Sequence, residues 1–354
     1  MKKIFGIMTA VLMAAPIFAY NPPVQGENFT GFINPQQLTV GNSVAGGPLF
    51  NISPSSVTVN PALGAYQNRV SLDLGYTAIF TGDSDHPYGH SFGTGILIPT
   101  KYFNMSAEIF GTGVESYKMQ LADSINLKTT FSKEVAENFA IGVGISGGYL
   151  WGAGVDWSLT ADVGAVYKWG ELGPMHNFRL AASVLNLGKV YNKADVVGVF
   201  GAHDDKRDWG SFPGFLTIRG GAAAEFVNTK QFVLGLSLDV TTPFFQNVIF
   251  DAGVQMKIMD LFFITSSWQI DCDACSQGKN SWIPTVGLTF KFGLDTSFTK
   301  KEDWQKSDMQ VGAAWKNVDG GVNAFSAGAI INLGQPDRQA PKIKMNDDDV
   351  EEEE

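Results

Sequence analysis

The chain is short of charge. Asp, Glu, Lys and Arg make up 17% of its 354 residues, against roughly a quarter in an ordinary globular protein. A soluble chain this poor in charge would struggle to cover its surface. Beyond residue 20 there is no run of 18 or more apolar residues, which excludes a polytopic helical membrane protein. Cationic surplus is also missing: the net charge is −10, which excludes nucleic acid as a natural partner. Seven of the acids sit in Asp347, Asp348, Asp349 and Glu351 to Glu354, and without them the balance is roughly −3. What is abundant is glycine, 40 residues, and aromatics at 12%, led by 26 Phe. With a mean hydropathy of only +0.01, the apolar content is dispersed and not gathered into helical spans.

The N-terminus reads as an export signal. Lys2 and Lys3 precede an apolar stretch from Ile4 to Ala19, with Pro16 ahead of a small-residue end. Cleavage is expected after Ala19, although Ile17 at the −3 position is an unusual residue there. An exported chain with two cysteines belongs in an oxidising compartment.

From Arg69 onward the dominant pattern has period two. Val70, Leu72, Leu74, Tyr76, Ala78 and Phe80 alternate with Ser71, Asp73, Gly75 and Thr77, and Trp157 to Trp169 and Phe232 to Val240 behave alike. Such alternation means strands with one apolar face and one polar or small face. Fourteen candidates run near 69–80, 91–99, 105–112, 119–131, 139–149, 157–169, 177–187, 214–226, 231–241, 247–258, 262–270, 282–292, 309–315 and 322–333. Most exceed the 5–6 residues of soluble strands and suit a tilted membrane crossing. Aromatics such as Trp157 and Trp169 stand at strand ends, where interfacial girdles lie. The expected fold is therefore all-β, a transmembrane antiparallel barrel of about 14 strands over 69–333. With both termini periplasmic, even-to-odd connections should be tight and odd-to-even ones long. The long, charged 293–308 breaks that rule.

A barrel of this size encloses a lumen too wide for its own side chains. Residues 20–68 are the expected plug: rich in Pro, Gly, Asn and Ser, almost uncharged beyond Glu27, yet carrying Phe29, Phe32, Ile33, Leu38, Leu49 and Phe50. That is too apolar for a disordered leader. Asn60-Pro61-Ala62-Leu63 closes the segment just before the first strand. Here the chain resembles the FadL-like family of outer-membrane transporters for long-chain fatty acids and other hydrophobic compounds. In that family an N-terminal hatch ends in Asn-Pro-Ala and leads into a fourteen-stranded barrel. The resemblance implies a hatch motif at Asn60, Pro61 and Ala62 and a gated transport function with lateral exit. It also implies an outer-membrane location, with membrane lipid and the barrel-assembly machinery as partners. The chain departs from the pattern at Gly334-Gln335-Pro336, where a hydrophilic extension, 334–354, replaces a terminal aromatic. In this it resembles superfamily members with a periplasmic extension, among them assembly and secretion partners. The extension itself reads as a solvated acidic tail.

Ligand-binding candidates fall in two groups. Inward-facing charge by parity includes Lys128, Arg179 and Arg219, any of which suits a carboxylate head group, though lumen charges more often pair with one another or with a plug. Trp151, Phe244 and Phe245 on outer loops suit capture of a hydrophobic small molecule such as a fatty acid, or anchorage at the membrane interface. Gly142-Val143-Gly144, Gly220-Gly221 and Pro284 are expected kinks. The third strand, Met105 to Gly111, reads as short, and there the resemblance places a wall opening. Cys272 and Cys275, in Cys-Asp-Ala-Cys, are expected to close a loop as a disulfide; no second pair supports a zinc or redox reading. His86 and His90 near Asp83 and Asp85 read as a solvated loop, so no metal and no cofactor are expected. Gly144-Ile145-Ser146-Gly147-Gly148 approaches a nucleophile elbow but lies on a strand, so an enzyme is not expected. The transporter reading competes with a non-selective porin and with a structural or secretion-partner barrel.

Overall fold

A computed structural model describes residues 22–23, 25–116, 118–152, 155–191, 212–276, 278, 280–294, 307–319 and 321–334. The expected export signal over 1–19, most of the 188–213 loop and nearly all of the expected acidic tail over 334–354 lie outside the described residues. Fourteen antiparallel strands form a closed ring. They are β1 (Val70–Phe80), β2 (Tyr88–Pro99), β3 (Asn104–Ser116), β4 (Met119–Ala136), β5 (Phe139–Trp151), β6 (Asp156–Leu172) and β7 (Met175–Lys189), followed by β8 (Thr217–Asn228), β9 (Phe232–Pro243), β10 (Ile249–Ile258), β11 (Phe262–Asp271), β12 (Thr285–Gly293), β13 (Asp308–Asp319) and β14 (Val322–Leu333). The ring shuts where β1 pairs with β14, from Val70↔Leu333 to Phe80↔Asn323. Closure leaves no strand with unpaired backbone along a free edge.

The period-two pattern resolves into two faces. Leu74 and Leu238 point outward and are 63% and 67% exposed, alongside Tyr76, Phe80, Ile145 and Trp157. Asp73, Thr77, Lys128, Asp162, Arg219 and Asp239 alternate with such residues, point inward and are buried. A single-residue slip of register would exchange these faces, so the ladder is strongly specified.

Several expectations need correction. β3 is not short: it spans 13 residues, and its ladder is continuous with β2 from His90↔Gly113 to Pro99↔Asn104 and with β4 below a bulge at Val114/Glu115. Pro284 lies outside β12, which begins at Thr285, because a residue without an N–H starts a ladder more easily than it continues one. Neither glycine group is a kink. Gly142 pairs with Gly164 in an unbroken register, and Gly220 and Gly221 pair with Val240 and Asp239. The β3–β4 and β13–β14 connections are tight although they fall on the side expected to carry long loops.

The outward band generates a direct test. Replacing Leu238, mid-strand in β9, with arginine places a charge on the apolar face, with an expected cost of about 2–4 kcal/mol in a bilayer. Denaturant titration of the refolded protein in liposomes measures it; the same change at inward-facing Ser237 should cost far less.

Candidate functional site

Residues 25–67 form no strand. They make short helical turns at Gly26–Phe32, Pro35–Leu38, Val40–Asn42, Pro54–Thr58 and Pro61–Tyr66. Three of these start alike, with a capping side chain followed by proline at the first helical position, where the missing N–H costs nothing. Asn34 Oδ1 accepts from Gln37 N at 2.9 Å, Asn60 Oδ1 accepts from Ala62 N at 3.0 Å, and Ser53 forms a capping box with Ser56 ahead of Pro54. The turns touch strands around the ring: Pro61–Tyr66 meets β4, β5 and β6, Pro54–Thr58 meets β1 to β3, Pro35–Leu38 meets β12 to β14, and Val40–Asn42 meets β10 and β11.

Without a ladder of its own, this segment must find other partners for its backbone groups. The strands supply them. Lys128 Nζ donates to Thr58 O at 3.1 Å, Ser183 Oγ to Val59 O at 2.8 Å, Asn104 Nδ2 to Gly64 O at 2.9 Å and Arg219 Nη2 to Asn42 O at 2.6 Å. In the other direction Val44 N donates to Asp239 Oδ1 and Ser55 N to Asp73 Oδ2, both at 2.8 Å.

Glycines set how close the segment comes. A Cβ on Gly164 would run into Asn60 Oδ1, and one on Gly142 into the backbone of Pro61 and Ala62. Asn60 also donates through Nδ2 to Val44 O at 3.0 Å and to Ala165 O of β6 at 3.3 Å. Asn34-Pro35 is held the same way. Gly75 lies opposite both Gly93 and Gly328, and side chains there would strike Asn34, Ile33 and Pro35 respectively. Sequence reasoning singled out Asn60, Pro61 and Ala62 and missed Asn34-Pro35. The signal was present as another Asn-Pro dipeptide, but the glycines that receive it become neighbours only once strand register is known.

The three cationic candidates point inward and are buried, and each is already engaged. Lys128 pairs with Asp162 at 2.6 Å besides its bond to Thr58, and Arg219 grips Asn42. Arg179 lies apart from them, with its guanidinium 4.0 Å from the centre of the Phe50 ring and 5.3 Å from that of Tyr66. Lys168 Nζ stands 3.4 Å over the same Tyr66 ring. Burial pushes the Tyr66 phenol well up, and nearby Arg179 only partly offsets this. Leu49 and Phe50 hold positive φ, 45° and 75°, a strained corner that presents Phe50 to Arg179.

The aromatic candidates do not join this group. Trp151 stacks on Tyr149 at 6.1 Å, Phe244 packs on Phe215 at 5.5 Å, and Phe245 is 66% exposed. Cys272 and Cys275 are free thiols one turn apart on a short helix, Cys272–Ser276, so the expected disulfide is corrected. That turn is held instead by Asp271 Oδ1, which accepts from Ala274 N at 3.0 Å.

Two features of the interior bear on function. Phe29, Phe32 and Ile33 of the segment join inward-facing Ile79, Phe110, Val114, Leu121, Val318, Val322 and Ala324 in one apolar cluster, at the ends of β1, β3 and β13 and the beginnings of β4 and β14. Next to it lies a partly open cavity lined by Phe29 and Phe110 and by Lys128, Asp162, Arg219, Thr241 and Asp251.

No family model and no curated protein matches the chain. Among solved structures, the CymD monoaromatic hydrocarbon channel superposes with a TM-score of 0.50 at 12% identity, over 91% of this chain and 100% of that one. The chain shares that channel's closed β-barrel fold. The Pseudomonas putida toluene transporter TodX follows with a TM-score of 0.49 at 9% identity, over 87% of this chain and 99% of its own. A Pseudomonas aeruginosa FadL homologue gives 0.42 at 12%, over 90% and 98%.

Two expected outcomes follow from these contacts. Gly164→Val should unseat Asn60 while leaving the wall folded. The variant would keep its different gel migration before and after boiling, but residues 25–67 would become cleavable by added protease. At the β10–β11 turn, Asp260 meets Lys257 at 2.8 Å and Lys291 at 2.9 Å. Partial burial pushes its carboxyl up, but the two lysines outweigh this and hold it below its ordinary value of 3.8. Because the folded value is the lower one, these pairs stabilise the fold above the ordinary value and lose that effect as pH falls through the depressed one. For an exposed pair the contribution is small, under about 1 kcal/mol. Asp260→Asn should therefore flatten the acid limb of the stability–pH curve slightly and leave the neutral value a little lower.

Proposed function

We propose that this chain is a bacterial outer-membrane channel that admits small hydrophobic molecules, with residues 20–68 as a plug in the lumen of a barrel formed by 69–333. On this reading residues 1–19 direct export, 334–354 form a solvated periplasmic tail, and lipid and the barrel-assembly machinery meet the outward band. The observation that carries the proposal is the apolar cluster around Phe29 and Phe32. Inward positions are polar along most of the ring, yet they turn apolar at the end where β1 and β3 finish, and there the segment's own aromatics fill them. An apolar solute arriving from outside can replace Phe29 and Phe32 contact for contact, so that its binding offsets the cost of moving the segment.

The engaged cations narrow the solute class. Lys128 and Arg219 each hold a carbonyl of the segment, and Arg179 lies over Phe50 and Tyr66. A fatty-acid carboxylate would have to displace one of these contacts, whereas a neutral apolar molecule need not. Sideways exit would break the fewest ladder bonds at β12, the shortest strand. There Trp268 to Asp271 of β11 and Lys316 to Asp319 of β13 extend past its pairing.

The test is uptake of a radiolabelled monoaromatic hydrocarbon by cells carrying the chain, alongside swelling of liposomes in a small sugar. Wild type should take up the hydrocarbon and swell little. Replacing both Phe29 and Phe32 with Ser should raise sugar swelling several-fold while the barrel stays folded. Fast swelling of the wild type with no hydrocarbon uptake would favour a non-selective porin and overturn the proposal.

A further inference from the structure

We infer that the cavity beside Phe29 takes a neutral solute carrying one hydroxyl group on a compact apolar body, a phenol or an alcohol. This rests on the channel reading above and names the class of solute within it.

Polar atoms without partners gather in the wall of this cavity. Arg219, Thr241 and Asp251 line the cavity from three adjacent strands: Arg219 of β8 lies opposite Thr241 of β9. Thr241 in turn lies opposite Ile249, two residues before Asp251 on the same face of β10. Each offers a buried atom with no hydrogen bond among the described residues: Arg219 Nε, Thr241 Oγ1 and Asp251 Oδ2. The rest of the Arg219 guanidinium is committed, because Nη1 and Nη2 both serve Asn42. Asp251 is faced by Arg219, Lys316, Gln269 and Asn42, and its Oδ2 is still unserved. Unmade hydrogen bonds at buried groups are costly, so a ligand that completes them is favoured.

The set contains a donor, an acceptor and a group that can act as either. A hydroxyl matches this set in kind, because it can accept from Arg219 Nε–H or Thr241 Oγ1–H and donate its one proton to Asp251 Oδ2 or to Thr241 Oγ1. A hydrocarbon offers nothing to them. A carboxylate can accept from Arg219 but has no proton for Asp251 and is repelled by it. Elsewhere in the lining, Lys128 and Asp162 cancel each other at 2.6 Å, and Lys316, which faces Asp251, already donates to Gln25 and Gln269, so neither lysine is left to hold a carboxylate. The body of the solute is accommodated by Phe29 and Phe110, which line the same cavity.

The test compares phenol, toluene and benzoate, one ring with three substituents, by equilibrium dialysis against the full-length chain in detergent. Phenol should bind about tenfold more tightly than toluene, which is one hydrogen bond's worth, and at least as far ahead of benzoate. Thr241→Val and Asp251→Asn should each bring the phenol-to-toluene ratio toward one, with folding verified by heat-dependent gel migration. Equal binding of phenol and toluene by the wild type, or tightest binding of benzoate, overturns the inference and leaves the channel for apolar solutes standing. Binding of none of the three overturns both. The wild-type comparison decides the matter even where a variant does not fold.

Discussion

Every backbone N–H and C=O in the wall has to be answered by a neighbouring strand, and the rest of the structure follows from that demand. In hydrocarbon no water is available to answer an unpaired group, so a sheet with two edges is not an option and β1 must find β14. Once fourteen strands are closed, the ring is too wide for its own side chains to meet at the centre. The inward residues are then left needing partners. In this chain they find them on the residues that precede β1.

The contact between wall and N-terminal segment is chemically reciprocal. The segment has backbone groups with no ladder to join, and the wall has buried hydroxyls, amides and charges facing inward. Lys128, Ser183, Asn104 and Arg219 donate to segment carbonyls, while Asp73 and Asp239 receive segment N–H groups. Each side leaves the other's polar groups unsatisfied if removed, and that mutual dependence makes the arrangement specific and not merely space-filling. It also explains why the wall is rich in glycine. Gly75, Gly142, Gly164 and Gly328 are where the Asn34-Pro35 and Asn60-Pro61 corners come close to the strands, and Gly93 makes room for the Ile33 side chain.

Much of this was legible in the sequence, and the boundary of legibility has a physical cause. Alternation along a strand is local, so all fourteen strands and the sense of their faces could be read from side-chain order alone, as at Val70 to Phe80. The Asn60-Pro61-Ala62 corner was legible because its capping chemistry lies within three residues. The partners of these features were not. Whether Gly142 is a kink or a platform depends on which residue of another strand or turn approaches it. Whether β3 is short depends on bulges near Ala122, whose φ of 51° no hydrophobic pattern reveals. The roles of Lys128, Arg179 and Arg219 depended on contacts with the segment, far away in sequence. Pro284 misled because strand-like composition continues on both sides of it.

The platform for Asn34-Pro35 has one further property. Gly75 belongs to the first strand and Gly328 to the last, with the whole length of the wall between them in the chain. No partly built cylinder possesses this platform, since it comes into being only when the final seam is sewn. The Asn34-Pro35 corner, early in the chain, thus lacks its complete seat until the trailing strand arrives. A wall with its seam open would leave that corner with half a seat, so the joining of first strand to last also finishes the docking of the residues ahead of them.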